Sequence, residues 1–273
     1  MCRVLSASKA GFYAWLDRVP SARSQRDREL RLKIVAIHKQ SRKRYGSPRI
    51  HAKLLEENER CGRKRIARLM RDERICGKRR KRFVPKTTDS NHEHPIAENL
   101  VQRRFSPQEI GAPNRCWAGD ITYIMTGEGW LYLAVVIDLY SRMVIGWSMS
   151  SSMHTRFVLD AFSMAIGRRG VPKGLVWHSD RGVQYASSAM RKLLKRHSIE
   201  CSMSGKGDCW DNAVAESFWS TLKAELFDGT IPAKREEARA AIFDFIEIWY
   251  NRERIHSTLG YVTPEQFELR IAA

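Results

Sequence analysis

Three acidic residues stand where their spacing and surroundings allow joint chemistry: Asp120, Asp180 and Glu216, with 35 positions between the last two. Asp120 falls inside Trp117-Ala118-Gly119-Asp120-Ile121-Thr122-Tyr123-Ile124, a stretch that reads as a strand. An ionised carboxylate in such a strand is penalised unless it is paired or binds a cation. Asp180 ends a short apolar strand, and Glu216 lies four positions after Asn212, which is expected to cap a helix. Three carboxylates, one of them shared, suit two Mg²⁺ or Mn²⁺ ions about 4 Å apart. One ion activates an attacking water or 3′-hydroxyl, and the other stabilises the leaving oxygen of a phosphodiester. Taken singly, Asp180 before Arg181-Gly182 also reads as a turn residue, and Glu216 as an ordinary helix residue.

Lys223 follows Glu216 by seven positions, so two helical turns place it on the same face with Trp219 and Ser220. A cation there lies beside the acidic site and suits a DNA backbone; the alternative is an exposed lysine. Lys206, in the polar stretch Ser204 to Asn212, is a second candidate phosphate contact. His178 reads equally as a group near the metals or as a buried structural histidine.

The elements that must position these residues form an α/β pattern from Cys116 onward. Strands are expected from Asp120 to Met125, Trp130 to Tyr140 and Met143 to Met149, as an antiparallel meander. A helix from Thr155 to Arg169, a strand from Leu175 to His178, a helix from Ser187 to His197 and a strand from Ile199 to Met203 follow. Helices from Asn212 to about Phe227 and from Lys234 to Asn251 complete the expected set. This is an RNase-H-like mixed sheet, three antiparallel strands plus two parallel, flanked by helices.

A small all-α unit is expected ahead of it. Leu30, Ile34 and Ile37 recur at helical spacing; Ser47-Pro48 reads as an N-cap and N1 proline before Ile50, Leu54 and Leu55. Ile66, Leu69 and Met70 share one face of a third helix whose other faces carry Arg63, Lys64, Arg65, Arg68, Arg71 and Arg74. A helix, a turn and a basic helix suit a helix-turn-helix reader of DNA, against the alternative of an ordinary bundle with a polar outside. The run Lys78-Arg79-Arg80-Lys81-Arg82 extends the basic surface as an arm. Expected boundaries are an N-terminal helical segment at 1–25, the basic domain at 26–82, a linker at 83–114 and the core at 115–273. In the first segment, Phe12, Tyr13, Trp15 and Leu16 read as a short helix packing on a neighbour.

Charge supports a polyanionic partner. Of a net +18, residues 1–109 hold 29 Lys and Arg against 12 Asp and Glu, while the remainder holds 19 against 18. Such one-sided charge favours nucleic acid, because each phosphate neutralised releases condensed counterions. The longest apolar run, Leu131 to Ile137, is too short for a bilayer, and no signal peptide is apparent. A soluble cytoplasmic protein with six reduced cysteines and no membrane partner is expected.

Several strings carry a resemblance: Trp117-x-x-Asp120-Ile-Thr-Tyr, Asp138-x-x-Ser141-Arg142, His178-Ser-Asp180-Arg-Gly-x-Gln184-Tyr185 and Asp211-Asn-Ala-x-x-Glu216-Ser217-Phe218. Leu222-Lys223, the stretch Tyr250-Asn251-x-x-Arg254-x-His256 to Pro264, and Arg44-Tyr45-Gly46-Ser47-Pro48-Arg49-Ile50 extend it over nearly the whole chain. The chain resembles the integrase-core, second-reading-frame product of insertion-sequence-three family transposases, relatives of retroviral integrases. That resemblance implies an Asp-Asp-Glu triad, Mg²⁺ or Mn²⁺, and strand cleavage and transfer at bacterial element ends without a covalent protein–DNA intermediate. It also implies an upstream-frame helix-turn-helix and zipper protein as partner, and a homo-oligomer on double-stranded DNA. The residues leave two rivals open: a non-catalytic DNA-binding protein or repressor derived from a transposase, and a nuclease of the same fold. A tyrosine recombinase rests only on Tyr250 near Arg252, Arg254 and His256, which more simply finish a helix.

Overall fold

A computed structural model describes residue 4 and residues 8–78, 94–205 and 209–272. It divides into two compact units, Met1–Gly77 and Lys78–Ala273.

In the first unit, α1 spans Lys9–Leu16, α2 Ala22–Gln40, α3 Ser47–Glu56 and α4 Arg63–Asp72. The expected apolar faces of α2 and α4 are buried: Leu30, Ile34 and Ile37 meet Ile66, Leu69 and Met70, with Ile50 and Leu54 of α3 between. Leu55 departs from expectation and stands 47% exposed, one position round the helix from the buried Leu54. Gly46 rather than Ser47 is the N-cap of α3, and Ser47-Pro48 form its first turn without a side-chain cap. Pro48 still fits, because first-turn N–H groups have no intrahelical acceptor to lose. The expected packing of α1 is also corrected. None of its residues is buried, and Phe12 meets Tyr13 and Trp15 of its own helix at 5.6 and 6.4 Å between ring centroids.

Two acidic residues lock this unit. Asp27 accepts from Arg65 Nε and Arg68 Nη2, each at 2.7 Å, and the guanidinium groups hold its carboxyl below the usual carboxylate range. Glu59 binds Lys33 and Arg26, and its pKa is lowered, chiefly by the Lys33 hydrogen bond.

The second unit opens with residues 94–114, within the stretch read as a linker. The single-turn α5, Pro107–Ile110, starts there with a Ser106–Glu109 capping box. The sheet follows: β1 Cys116–Thr126, β2 Gly129–Asp138, β3 Val144–Ser150, β4 Val176–Ser179 and β5 Glu200–Met203. Their order is β3-β2-β1-β4-β5, with β1 to β3 an antiparallel meander and β4 and β5 parallel to β1. This is the expected three-plus-two RNase-H-like sheet. Its first strand begins at Cys116, four residues before Asp120, because Cys116 to Gly119 are buried and pair with Val176 to Ser179 of β4, while Trp117 to Gly119 also pair with Asp138 to Val136 of β2.

Helices cover both faces. α6 is Thr155–Arg169, as expected; α7, a single turn at Val183–Ala186, was not; α8 is Ser188–Arg196. α9 spans Ala213–Leu222 and continues as a π-helical turn, Lys223–Phe227. α10, Arg235–Asp244, likewise continues as a π segment, Phe245–Glu253, and α11, Pro264–Ala272, closes the chain. Trp117, Phe157, Phe162, Trp177, Tyr185, Met190 and Leu194 fill the core between sheet and helices. Gly146 allows α6 to lie against β3, since a Cβ there would stand 2.2 Å from the Ala161 carbonyl oxygen. Among the described residues no helix is long and apolar enough to cross a membrane.

Candidate active site

Parallel pairing brings the two aspartates together. Gly119 of β1 faces Ser179 of β4, so Asp120 is the next residue of β1 and Asp180 the first residue beyond the neighbouring strand β4. Adjacent strands lie about 4.8 Å apart, and residues in register point to the same side. Gly119 is required for this approach: a Cβ there would stand 2.3 Å from the Trp177 ring and 3.1 Å from the Tyr185 ring. Beyond β4, Asp180 Oδ1 accepts the Gly182 N–H at 2.9 Å and turns the chain into α7.

The third element is α9. Trp219 Nε1 donates to Asp120 Oδ2 at 2.7 Å, which pins that helix to β1. Glu216 lies one turn before Trp219, on the same side of α9, and is exposed at the rim. Asp120 Oδ1 accepts the Ile121 N–H at 2.9 Å. Asp120 is crowded by protein yet keeps part of its surface open, so a cation can reach it while an isolated negative charge is disfavoured. Burial above all, then the charges of Asp180 and Glu216, push its pKa to about 8 against the bonds from Trp219 and Ile121. Desolvation also raises that of Glu216.

No three His, Cys, Asp or Glu side chains among the described residues stand close enough to hold one ion together as placed. The donor set is all hard oxygen, the kind Mg²⁺ and Mn²⁺ take, and a bound divalent cation would offset both the burial and the neighbouring Asp180 charge that disfavour ionised Asp120.

The pH consequence follows from its sign. An acid whose pKa rises from 3.8 to about 8 binds a proton on folding, so its contribution to stability is lost as pH rises through that interval. The melting midpoint of metal-free Asp120→Asn, minus that of the unaltered protein, is expected to grow from pH 5 to pH 8. A difference independent of pH would contradict the assignment.

Comparisons with known proteins add the family. Models described as integrase core domain match residues 111–209 and 197–264, and one described as HTH-like domain matches 24–83. The chain is 41% identical over 267 residues to the insertion element IS600 uncharacterized 31 kDa protein of Shigella sonnei, covering 98% of this chain and 97% of that one. It is 43% identical over 270 residues to transposase InsF for insertion sequence IS3A of Escherichia coli K12, covering 98% and 92%. The chain belongs to the IS3 transposase family. Among solved structures it is similar to the HTLV-2 integrase catalytic core domain in complex with magnesium, with a TM-score of 0.44 and 20% identity over 57% of this chain and 97% of that one.

In this IS3-family chain, Lys223 opens the π turn rather than ending two regular α-turns after Glu216. Its Nζ sits 5.5 Å from the centre of the Tyr123 ring; burial lowers its pKa while the Asp120 charge opposes that. The side chain therefore lies beside Asp120 rather than free in solvent. His178 takes its structural reading: fully buried, its Nε2 contacts the Asp211 carbonyl oxygen at 2.8 Å and its Nδ1 the Ser202 hydroxyl at 2.9 Å. The carbonyl can only accept, so Nε2 carries the proton.

Asp211 was named only within a motif and given no role; in the structure it organises the approach to α9. It accepts from Asn99 Nδ2, Arg103 Nε and the Gly205 N–H at 2.8 to 2.9 Å. Burial raises its pKa, but these donors outweigh that and hold it below the ordinary value. Trp219 was noted only as sharing a face; its bond to Asp120 depends on a tertiary contact that no local pattern encodes.

Of the basic candidates, Arg63, Lys64 and Arg71 are exposed on α4. Arg68 is paired with Asp27 and reaches Asp72 at 3.7 Å, and its side chain remains 43% exposed. Lys78 pairs with Asp228 rather than opening a free basic arm. Lys206 and the run Arg79, Arg80, Lys81 and Arg82 lie outside the described residues. Tyr250 is buried and Arg254 binds Glu225, an arrangement unsuited to a tyrosine nucleophile.

Proposed function

We propose that this chain catalyses DNA strand cleavage and strand transfer at the ends of a bacterial insertion sequence, using Asp120, Asp180 and Glu216 as ligands for Mg²⁺ or Mn²⁺, two ions per site. The observation that carries this reading is the register of β1 and β4, which sets Asp120 beside Asp180, with α9 pinned to Asp120 through Trp219. When bound, divalent cations supply Lewis-acid stabilisation of the attacking and leaving oxygens of an in-line displacement. The chain supplies the rest. Asp120, Asp180 and Glu216 gather and orient the ions. Trp219 orients the Asp120 carboxylate by donating to one oxygen, leaving lone pairs for an ion. Lys223, steadied over Tyr123, offers a cation to the scissile phosphate strand.

In the first unit, α3 and α4 form the DNA reader, with Arg63, Lys64 and Arg71 on phosphates; Lys206 and residues 79–82 add cationic contacts. The working substrate is double-stranded DNA carrying terminal repeats. Joining two ends in concert calls for a homo-oligomer on that DNA, together with the upstream-frame helix-turn-helix and zipper protein. The site of action is the bacterial cytoplasm.

Purified protein with Mn²⁺ is expected to nick or join duplexes bearing the element's ends, to do so far less on random duplexes, and to stop when the ion is chelated. Equal cutting of both duplexes would favour a general nuclease. Binding without cutting would favour the non-catalytic reading, for which the separation of the three acids in the structure is the one supporting observation. The triple substitution Arg63→Ala, Lys64→Ala and Arg71→Ala should weaken binding to terminal-repeat and random duplexes alike. Each lost phosphate contact reduces the slope of log K against log salt by about 0.9. An unchanged slope would remove α4 from the interface.

A further inference from the structure

One buried donor near the acidic pair has no acceptor. Tyr185 lies on α7, five residues past Asp180, with its ring 6.0 Å from that of Trp177 and close against Gly119 of β1. The side chain is 2% exposed, and its hydroxyl is buried without a hydrogen-bond partner. Buried tyrosine hydroxyls ordinarily find one, because desolvation is otherwise uncompensated. Burial first, then the charges of Asp120 and Asp180, hold this phenol far above its ordinary pKa, so it stays a donor at every working pH. The two carboxylates that act on it are those read as ligands. Loading the site would draw their oxygens together and hold one where the hydroxyl can donate to it, supplying the acceptor that this phenol lacks.

We propose that Tyr185 is a positioning residue for the cation site, its hydroxyl donating a hydrogen bond to a carboxylate oxygen of the loaded Asp120–Asp180 pair. The donor orients that oxygen from inside the core, opposite the solvent side from which a cation arrives. Partners of this kind fix ligand geometry, and losing one typically weakens metal binding by about 10- to 100-fold. The proposal rests on the reading of Asp120 and Asp180 as ligands.

Tyr185→Phe is the test, since it removes one oxygen and leaves the ring against Trp177 and Gly119. Metal-free protein is titrated with Mn²⁺ and the free ion followed by electron paramagnetic resonance, without reference to turnover. The expected result is Mn²⁺ affinity at least about tenfold weaker, with the metal-free melting midpoint within about 2 °C of the unaltered protein. Unchanged affinity overturns the proposal whatever the stability. A metal-free midpoint lowered by more than about 5 °C overturns it too, because the hydroxyl would then serve the metal-free core. If the unaltered protein binds no Mn²⁺, the carboxylate reading itself fails. That outcome is distinct from equal binding by both proteins.

Discussion

Asp120→Asn is expected to leave DNA binding intact and to lower strand cleavage and transfer by on the order of 10³-fold or more, the scale seen when one member of an interdependent catalytic set is removed. The substitution is nearly isosteric and keeps an oxygen for the Trp219 indole or the Ile121 N–H. It deletes the negative charge, which a divalent ion requires and which the metal-free fold disfavours. The same variant should therefore be inactive and, at pH 8, more stable than the unaltered protein without metal. Loss of activity through misfolding would come with a lower midpoint instead. Melting curves and end-binding measured on one preparation separate the two causes, and retained strand transfer would remove Asp120 from the chemistry.

Arg254→Met is expected to lower stability by roughly 3–5 kcal/mol, the cost of leaving one member of a buried ion pair uncompensated. Arg254 Nε and Nη2 meet both oxygens of Glu225 at 2.9 to 3.1 Å, with the two side chains 4% and 6% exposed. Trp249 Nε1 donates to the same carboxylate at 2.9 Å. Removing the arginine strands the negative charge of Glu225 within the π turn that begins with Lys223. For a unit of this size the loss corresponds to roughly 6–20 °C in melting midpoint. Combining Arg254→Met with Glu225→Leu should recover most of it, since an apolar pair of similar volume is often neutral or stabilising. A single-substitution loss under about 1 kcal/mol, or a double variant no better than the single, would contradict this account. Urea denaturation of the three proteins measures both.

The sequence exposed what repeats locally. The helical spacing of Ile66, Leu69 and Met70, the β-branched run after Asp120 and the helix at Thr155–Arg169 each follow from side-chain periodicity alone. So did the order of the three acids on strand, strand end and helix. What escaped depends on contacts between distant segments. The indole of Trp219 on Asp120, the Asn99 and Arg103 donors on Asp211 and the bond between Arg254 and Glu225 join residues 29 to 112 positions apart. Charge patterning did not show the ion pairs of that surface for the same reason. Arg68 and Lys78 read as uncompensated cations until folding brings Asp27 and Asp228 against them. The π turns that continue α9 and α10 were read as plain helix, because one extra residue per turn barely alters the apolar pattern.

The central claim is that Asp120, Asp180 and Glu216 converge on cations when these are present. The most direct test is a crystal structure of the protein grown with Mn²⁺ and DNA, the ions located by anomalous scattering. Two anomalous peaks about 4 Å apart, each about 2.0–2.3 Å from carboxylate oxygens, with all three residues contributing, are the predicted result. Peaks elsewhere, or a site that leaves out Asp120 or Asp180, would contradict it.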